Sequence, residues 1–164
     1  MNKSLEKLKK IQELCIDNNI MISTAESCTG GYMSKLITDL SGSSKFYNGS
    51  IIAYSNKTKT DVLNVPSEVI EKYGAVSREV AALMSDGAYK AIDCNISISI
   101  TGIMELDNQK NSKDTQVFIS IKSEKSHIIR HFSLNGSRKD NRENTVNHAL
   151  DCLYDFIHKN YLVS

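Results

Sequence analysis

The residues with the most chemistry in them fall in one short run, Thr24-Ala25-Glu26-Ser27-Cys28-Thr29-Gly30-Gly31. Small hydroxyl residues and paired glycines, set between a strand and a helix, turn backbone N–H groups toward a ligand at a helix N-terminus. The helix dipole adds partial positive charge there. Such a turn can bind phosphate or hold an oxyanion. A ligand-free capping turn uses the same residue types, so the run alone leaves both readings open. A second segment, Ala53-Tyr54-Ser55-Asn56-Lys57-Thr58-Lys59, carries a tyrosine at the end of an expected strand and a lysine five residues on. A lysine held near a serine can be its general base if burial or a nearby cation lowers its pKa. A nearby tyrosine can relay a proton or donate to an oxyanion. On spacing alone, the simpler reading of this segment is an exposed loop.

The elements that must position these residues are legible from periodicity. Leu5, Leu8, Ile11, Leu14 and Cys15 recur at helical spacing over residues 5–18, with Ser4 as the expected N-cap and Asn18-Asn19 as a stop. Residues 20–23 form an expected short strand. Met33, Leu36, Ile37 and Leu40 mark an amphipathic helix ended by Gly42. Residues 50–54 read as a strand. Ser67 is the expected cap of a short helix with Val69 and Ile70 inward, and Ser77 caps another with Val80, Leu83, Met84, Gly87, Ala88 and Ala91 on one face. The small residues in that helix point to close packing on a sheet or second helix. Residues 95–101 alternate strictly, with Ile96, Ile98 and Ile100 on one side and Ser97, Ser99 and Thr101 on the other. Residues 116–122 and 127–132 read as a hairpin, and Val146, Ala149, Leu150, Leu153, Phe156 and Ile157 as the inner face of a last helix. Strands interleaved with helices predict an α/β chain, a three-layer α/β/α sandwich; the hairpin makes its sheet mixed.

The 164 residues fit one domain, 1–164, with a single proline and no linker-like tract. Twenty Lys and Arg against 19 Asp and Glu give a net charge of +1, which excludes a general pull toward nucleic acid. The Lys-rich start is a solvated helix face. No apolar run reaches the roughly 18–20 residues that span a bilayer, and the charged first ten residues lack a signal core. The expectation is a cytoplasmic protein that engages no membrane. Its four cysteines, Cys15, Cys28, Cys94 and Cys152, form no CxxC pair and read as reduced thiols. Ser4-Leu5-Glu6-Lys7 is an SxxK string, better explained by helix capping than by catalysis. His127 and His131 share a strand face but lie about 13 Å apart at ordinary strand rise, too far for one metal. No metal and no cofactor are expected, and activity should survive a chelator. Phe46 and Tyr47 form an apolar pair that would mark a subunit contact if exposed; burial is equally consistent.

The run 25–31, AESCTGG, resembles the signature of the CinA C-terminal domain family. Gly42-Ser43-Ser44, Tyr54-Ser55-Asn56 with Lys59, Tyr73-Gly74-Ala75-Val76-Ser77, Thr101-Gly102-Ile103, and Gly136 with Arg138 and Arg142 resemble further blocks of that family in the same order. The resemblance covers roughly residues 5–158. It implies a compact α/β/α domain, in the family's stand-alone form, that hydrolyses the amide of nicotinamide mononucleotide. The products are nicotinic acid mononucleotide and ammonia, in pyridine-nucleotide salvage. It implies Ser27 as nucleophile, Lys59 as its base, Tyr54 as an assisting hydroxyl, and no metal. It sets Cys28, Thr29, Gly30, Gly31, Thr101 and Gly102 around the substrate, with Arg138 and Arg142 on its phosphate. The alternative for the two arginines is solvated charge at a helix start. The resemblance also suggests a homodimer.

One block departs from the family pattern. Where the family's loop is rich in glycine and proline, residues 103–115 here contain neither. Glycines permit close backbone approach to a ligand, which bulkier residues resist. Glu105 and Asp107 add negative charge where an anionic nucleotide is expected, and the family's histidine before Gly74 is Tyr73. Three readings stay open: an amidohydrolase that tolerates the change, a weak or silent relative that binds a nucleotide or a protein, and an amidase with a different substrate.

Overall fold

The strictest alternation in the chain builds the middle of the sheet. Strand β3 (Ile96–Gly102) is flanked by β1 (Ile22–Glu26) and β4 (Thr115–Ser123), with β2 (Tyr47–Ile52) and β5 (His127–Leu134) at the edges, in the order β2-β1-β3-β4-β5. The first three strands in space are parallel; β4 and β5 run antiparallel as a hairpin. The structure, a computed structural model, describes residues 3–106 and 115–162. Most of the 103–115 loop, Asp107 included, therefore lies outside the described residues.

The two faces of the sheet are chemically different. Ile22, Ile96, Ile98, Ile100, Ile119 and Ile121 are buried beneath α1 (Lys3–Asp17), α2 (Tyr32–Thr38) and α6 (Arg138–Ile157). Burying each such side chain contributes about 1.5–3 kcal/mol. The opposite face is covered by α3 (Asn56–Leu63), α4 (Ser67–Tyr73) and α5 (Arg78–Ala91). There β3 presents hydroxyls, each with a backbone acceptor: Ser97 Oγ donates to Ser85 O at 2.7 Å, Ser99 Oγ to Ala81 O at 2.6 Å, and Thr101 Oγ1 to Ala75 O at 2.9 Å. Short polar side chains let α5 lie close to the sheet, and their hydrogen bonds remove the cost of burying them. Helices on both faces make three α/β/α layers around a mixed sheet.

Several boundaries differ from the sequence expectation. The first strand runs over Ile22–Glu26 rather than 20–23. Its polar letters hide it, because Ser23 and Thr24 are buried and find partners in Cys94 Sγ, Tyr47 Oη and Ser50 Oγ. The second runs over Tyr47–Ile52, so Tyr54 lies beyond the strand and not at its end. Pro66, not Ser67, occupies the cap position of α4. Ser4 lies inside α1, and its hydroxyl donates to Asn147 Oδ1 on α6. Ser77 does cap α5, accepting from Val80 N at 3.2 Å. Ala91, expected on the inner face of that helix, is exposed. Phe46 and Tyr47 are buried in the core, which removes them as an exposed subunit contact.

Candidate active site

Ser27 is placed by the sheet itself. Its backbone N–H donates to Ile100 O at 3.0 Å, one step past the end of β1, while Ala53 N donates to Glu26 O at 2.8 Å on the other side. The chain then turns through Gly30 (φ 57°) and Gly31 (φ 90°) into α2. A Cβ on Gly31 would meet Ile52 Cδ1 at 3.0 Å, so both conformation and space favour glycine there.

The N-terminus of α2 is already occupied by an acid from the same chain. The Glu26 side chain is fully buried. Its Oε2 accepts from Thr29 Oγ1 at 2.6 Å, Gly31 N at 3.0 Å and Met33 N at 3.2 Å, and its Oε1 accepts from Ser34 N at 2.8 Å. This carboxylate sits where the helix dipole and the first-turn amides would otherwise draw an external anion. Gly30 N meanwhile closes the turn onto Ser27 O at 3.1 Å. The sequence shows Glu26 inside the motif, and its role was missed. The available signal was an acid at the end of a strand, just ahead of a turn that leads into a helix.

Lys59 approaches Ser27 from the other side. Ser55 caps α3 by accepting from Thr58 N at 3.0 Å, which sets Lys59 in the first helical turn. Its side chain runs back beneath the strand ends rather than into solvent, only 2% exposed. Nζ lies 2.9 Å from Ser27 Oγ and donates to Ala53 O at 3.0 Å. Burial lowers the lysine pKa below its ordinary 10.5, opposed only by the nearby Cys28 thiol. A lysine so placed gives up its own proton more readily than one in water. The exposed-loop reading of this segment fails for Lys59. It holds for Tyr54, which is 62% exposed. Gly87 of α5 helps position α3: a Cβ there would fall 2.2 Å from Leu63 O, so the two helices meet at a contact only glycine allows.

Ser27, Cys28, Lys59 and Tyr54 open on a cleft of about 320 Å³, closed on the far side by Thr101, Gly102, Ile103 and Glu105, with Arg138 at its edge. Arg138 is the first residue of α6, behind the Ser137 cap, and its Nη2 donates to Tyr54 Oη at 3.1 Å. Tyr54 therefore pairs with Arg138 rather than with Ser27 or Lys59. Burial pushes the Cys28 thiol up to about 12, which leaves it neutral beside the serine. Thr29, Gly30, Gly31 and Arg142 are not part of the cleft lining. Arg142 Nη2 donates to Thr29 O at 2.7 Å, so it pins the 27–31 turn onto α6. His127, away from this cleft, is hydrogen-bonded at Nε2 to Ser120 Oγ at 2.8 Å.

Comparison with known proteins bears on the family and the fold. The CinA C-terminal domain family matches residues 4–157. A CinA-like protein of Cytophaga hutchinsonii is 39% identical over 132 residues, covering 80% of this chain and 32% of that protein. A CinA-like protein of Endomicrobium trichonymphae is 38% identical over 141 residues, covering 85% of this chain and 33% of its own length. The chain thus spans about a third of these relatives. The crystal structure of competence/damage inducible protein CihA from Agrobacterium tumefaciens superposes with a TM-score of 0.84 at 30% identity, covering 94% of this chain and 96% of that one. No described helix is long and apolar enough to cross a membrane. With the family matched over nearly the whole chain and the fold shared, this chain belongs to the CinA C-terminal domain family.

Proposed function

We propose that this domain is a serine amidohydrolase that converts nicotinamide mononucleotide to nicotinic acid mononucleotide and ammonia. The observation that carries the reading is the buried contact of Lys59 Nζ with Ser27 Oγ at 2.9 Å. A lysine whose pKa is lowered by burial yields its neutral, basic form more readily than one in water. Ser27 Oγ attacks the carboxamide carbon as its proton passes to Lys59 Nζ. The tetrahedral intermediate collapses when the Lys59 ammonium returns that proton to the leaving nitrogen, which departs as ammonia. The resulting ester on Ser27 is hydrolysed by water, again with Lys59 as base.

The oxyanion needs donors other than the amides of Gly31, Met33 and Ser34, which Glu26 holds. The Cys28 and Thr29 amides lie against the Cys28 sulfur, a weak acceptor that an oxyanion outcompetes. Arg138 offers a planar fork suited to the nucleotide phosphate, and Tyr54 orients it. Arg142 acts on the turn rather than on substrate. Glu105 at the opposite wall favours the cationic pyridinium over a uniformly anionic ligand.

Purified protein given nicotinamide mononucleotide should yield nicotinic acid mononucleotide and ammonia in equal amounts, with or without chelator. A folded protein that forms neither product would remove the proposal. In that case a thermal-shift panel of nucleotides decides for the second reading, a binding relative, since a ligand of the folded state raises Tm.

A further inference from the structure

Asn141 lies one turn into α6, between Arg138 and Arg142, and is fully buried. Its Oδ1 accepts from Gly136 N at 2.9 Å. Its Nδ2 donates to Gly136 O at 2.9 Å and to Met104 O at 3.0 Å. The opposite orientation of the amide would set its carbonyl against two carbonyls, so the network fixes which way the group points. Gly136 approaches closely: a Cβ there would meet Asn141 Oδ1 at 3.1 Å. One turn further on, Thr145 Oγ1 donates to Asn141 O at 2.7 Å and sits 3.9 Å from Met104 Sδ.

These contacts join two walls of the cleft that are distant in sequence. Met104 is buried, while its neighbours Ile103 and Glu105 are exposed and line the cleft. Gly136 precedes the Ser137 cap, which sets where Arg138 begins α6. A polar side chain with no exposure is costly unless its hydrogen bonds are made, and each of these involves backbone of the cleft walls. The segment after Gly102 has no glycine or proline of its own to fix its path. An amide reaching across from α6 supplies that constraint.

We propose that Asn141 is a positioning residue that holds the 103–105 wall and Arg138 as one unit, so that the cleft keeps its width for substrate. Its effect on substrate affinity rests on the amidohydrolase reading; its effect on the two walls does not. Two variants separate these. Asn141→Leu keeps the approximate shape and removes all three hydrogen bonds, and Asn141→Asp keeps only the acceptor for Gly136 N–H. KM for nicotinamide mononucleotide should rise about tenfold or more in both. The kcat and the rate at which a fluorophosphonate labels Ser27 should stay within about threefold of wild type, because Asn141 touches neither Ser27 nor Lys59. Amide hydrogen exchange, read without substrate, should accelerate together in segments 102–106 and 136–138 while α1 and β3 keep their protection. A KM that does not move, or a labelling rate that falls in step with it, overturns the proposal. If wild type labels at Ser27 but does not turn over this nucleotide, the substrate assignment has failed, and the exchange measurement alone decides: joint acceleration of both walls supports the role of Asn141, and acceleration of one wall overturns it.

Discussion

On one side of Ser27, the N-terminus of α2 faces the buried carboxylate of Glu26, and its amides at residues 31, 33 and 34 all point at that group. On the other side, Lys59 faces Ser27 with a carbonyl as its second partner, and among the described residues no carboxylate pairs with it. Both sides bury an ionisable residue beside Ser27, and they treat it oppositely. Glu26 accepts from four donors, which holds it in one position. Lys59 is deprived of a counter-charge, which makes its proton easy to lose. Full satisfaction fixes the turn in place, and a buried amine without a counter-charge is the more readily deprotonated.

The sharpest way to break this comparison is to remove the Lys59 side. Lys59→Met should cut turnover at least about a hundredfold, the scale of a lost general base. Wild-type activity should rise with pH along a limb set by the lowered Lys59 pKa, and the variant should lack that limb. Stability carries the same signature. Between the folded-state pKa and 10.5 the unfolded chain holds more protons than the folded one, so wild-type stability rises with pH through that window. At lower pH, with Lys59 charged in both states, the cost of burying it is in full force. Urea unfolding of wild type and Lys59→Met across pH should therefore converge as pH rises; parallel curves would contradict the account.

The Glu26 side should fail differently. Glu26→Gln replaces a charged acceptor of four bonds with a neutral amide, and should cost about 1.5–3 kcal/mol in urea unfolding. Its turnover should fall far less than in Lys59→Met; equal losses with stability intact would erase the distinction. At the cleft edge, Arg138→Gln should raise KM for the nucleotide about tenfold with little change in kcat, read from steady-state kinetics. The smallest effect is expected at Glu105→Gln. A neutral side chain there should alter KM only about twofold at low ionic strength, and added salt should erase the difference.

How much of this was legible in the sequence differs by region. The α/β/α layering and the mixed sheet followed from periodicity, because Ile96, Ile98 and Ile100 and the last helix keep strict repeats. The bounds of the first strand did not, because a strand buried on both faces with hydroxyl side chains lacks the apolar signal that marks a strand's extent. Ser27, Tyr54, Lys59 and Arg138 were singled out by motif, and the structure brings them to one cleft. Spacing could not show that Lys59 is buried or that Tyr54 meets Arg138, since both depend on where α3 and α6 dock. The motif suggests Gly30, Gly31 and Arg142 as substrate contacts, and their partners in the structure are Ser27 O, Glu26 Oε2 and Thr29 O. Donor-rich turns look alike in sequence whether an internal acid or a ligand fills them. Asn141 carried no sequence signal, because its partners are backbone groups 5 and 37 residues away.

The most direct test of the account is ammonia release from nicotinamide mononucleotide by wild type, Ser27→Ala and Lys59→Ala, measured together with their melting temperatures. The account predicts turnover by wild type and losses of at least about a hundredfold in both variants, with each still folding cooperatively. Turnover that persists in folded Ser27→Ala would contradict it, because Ser27 Oγ is the hydroxyl hydrogen-bonded to Lys59 Nζ.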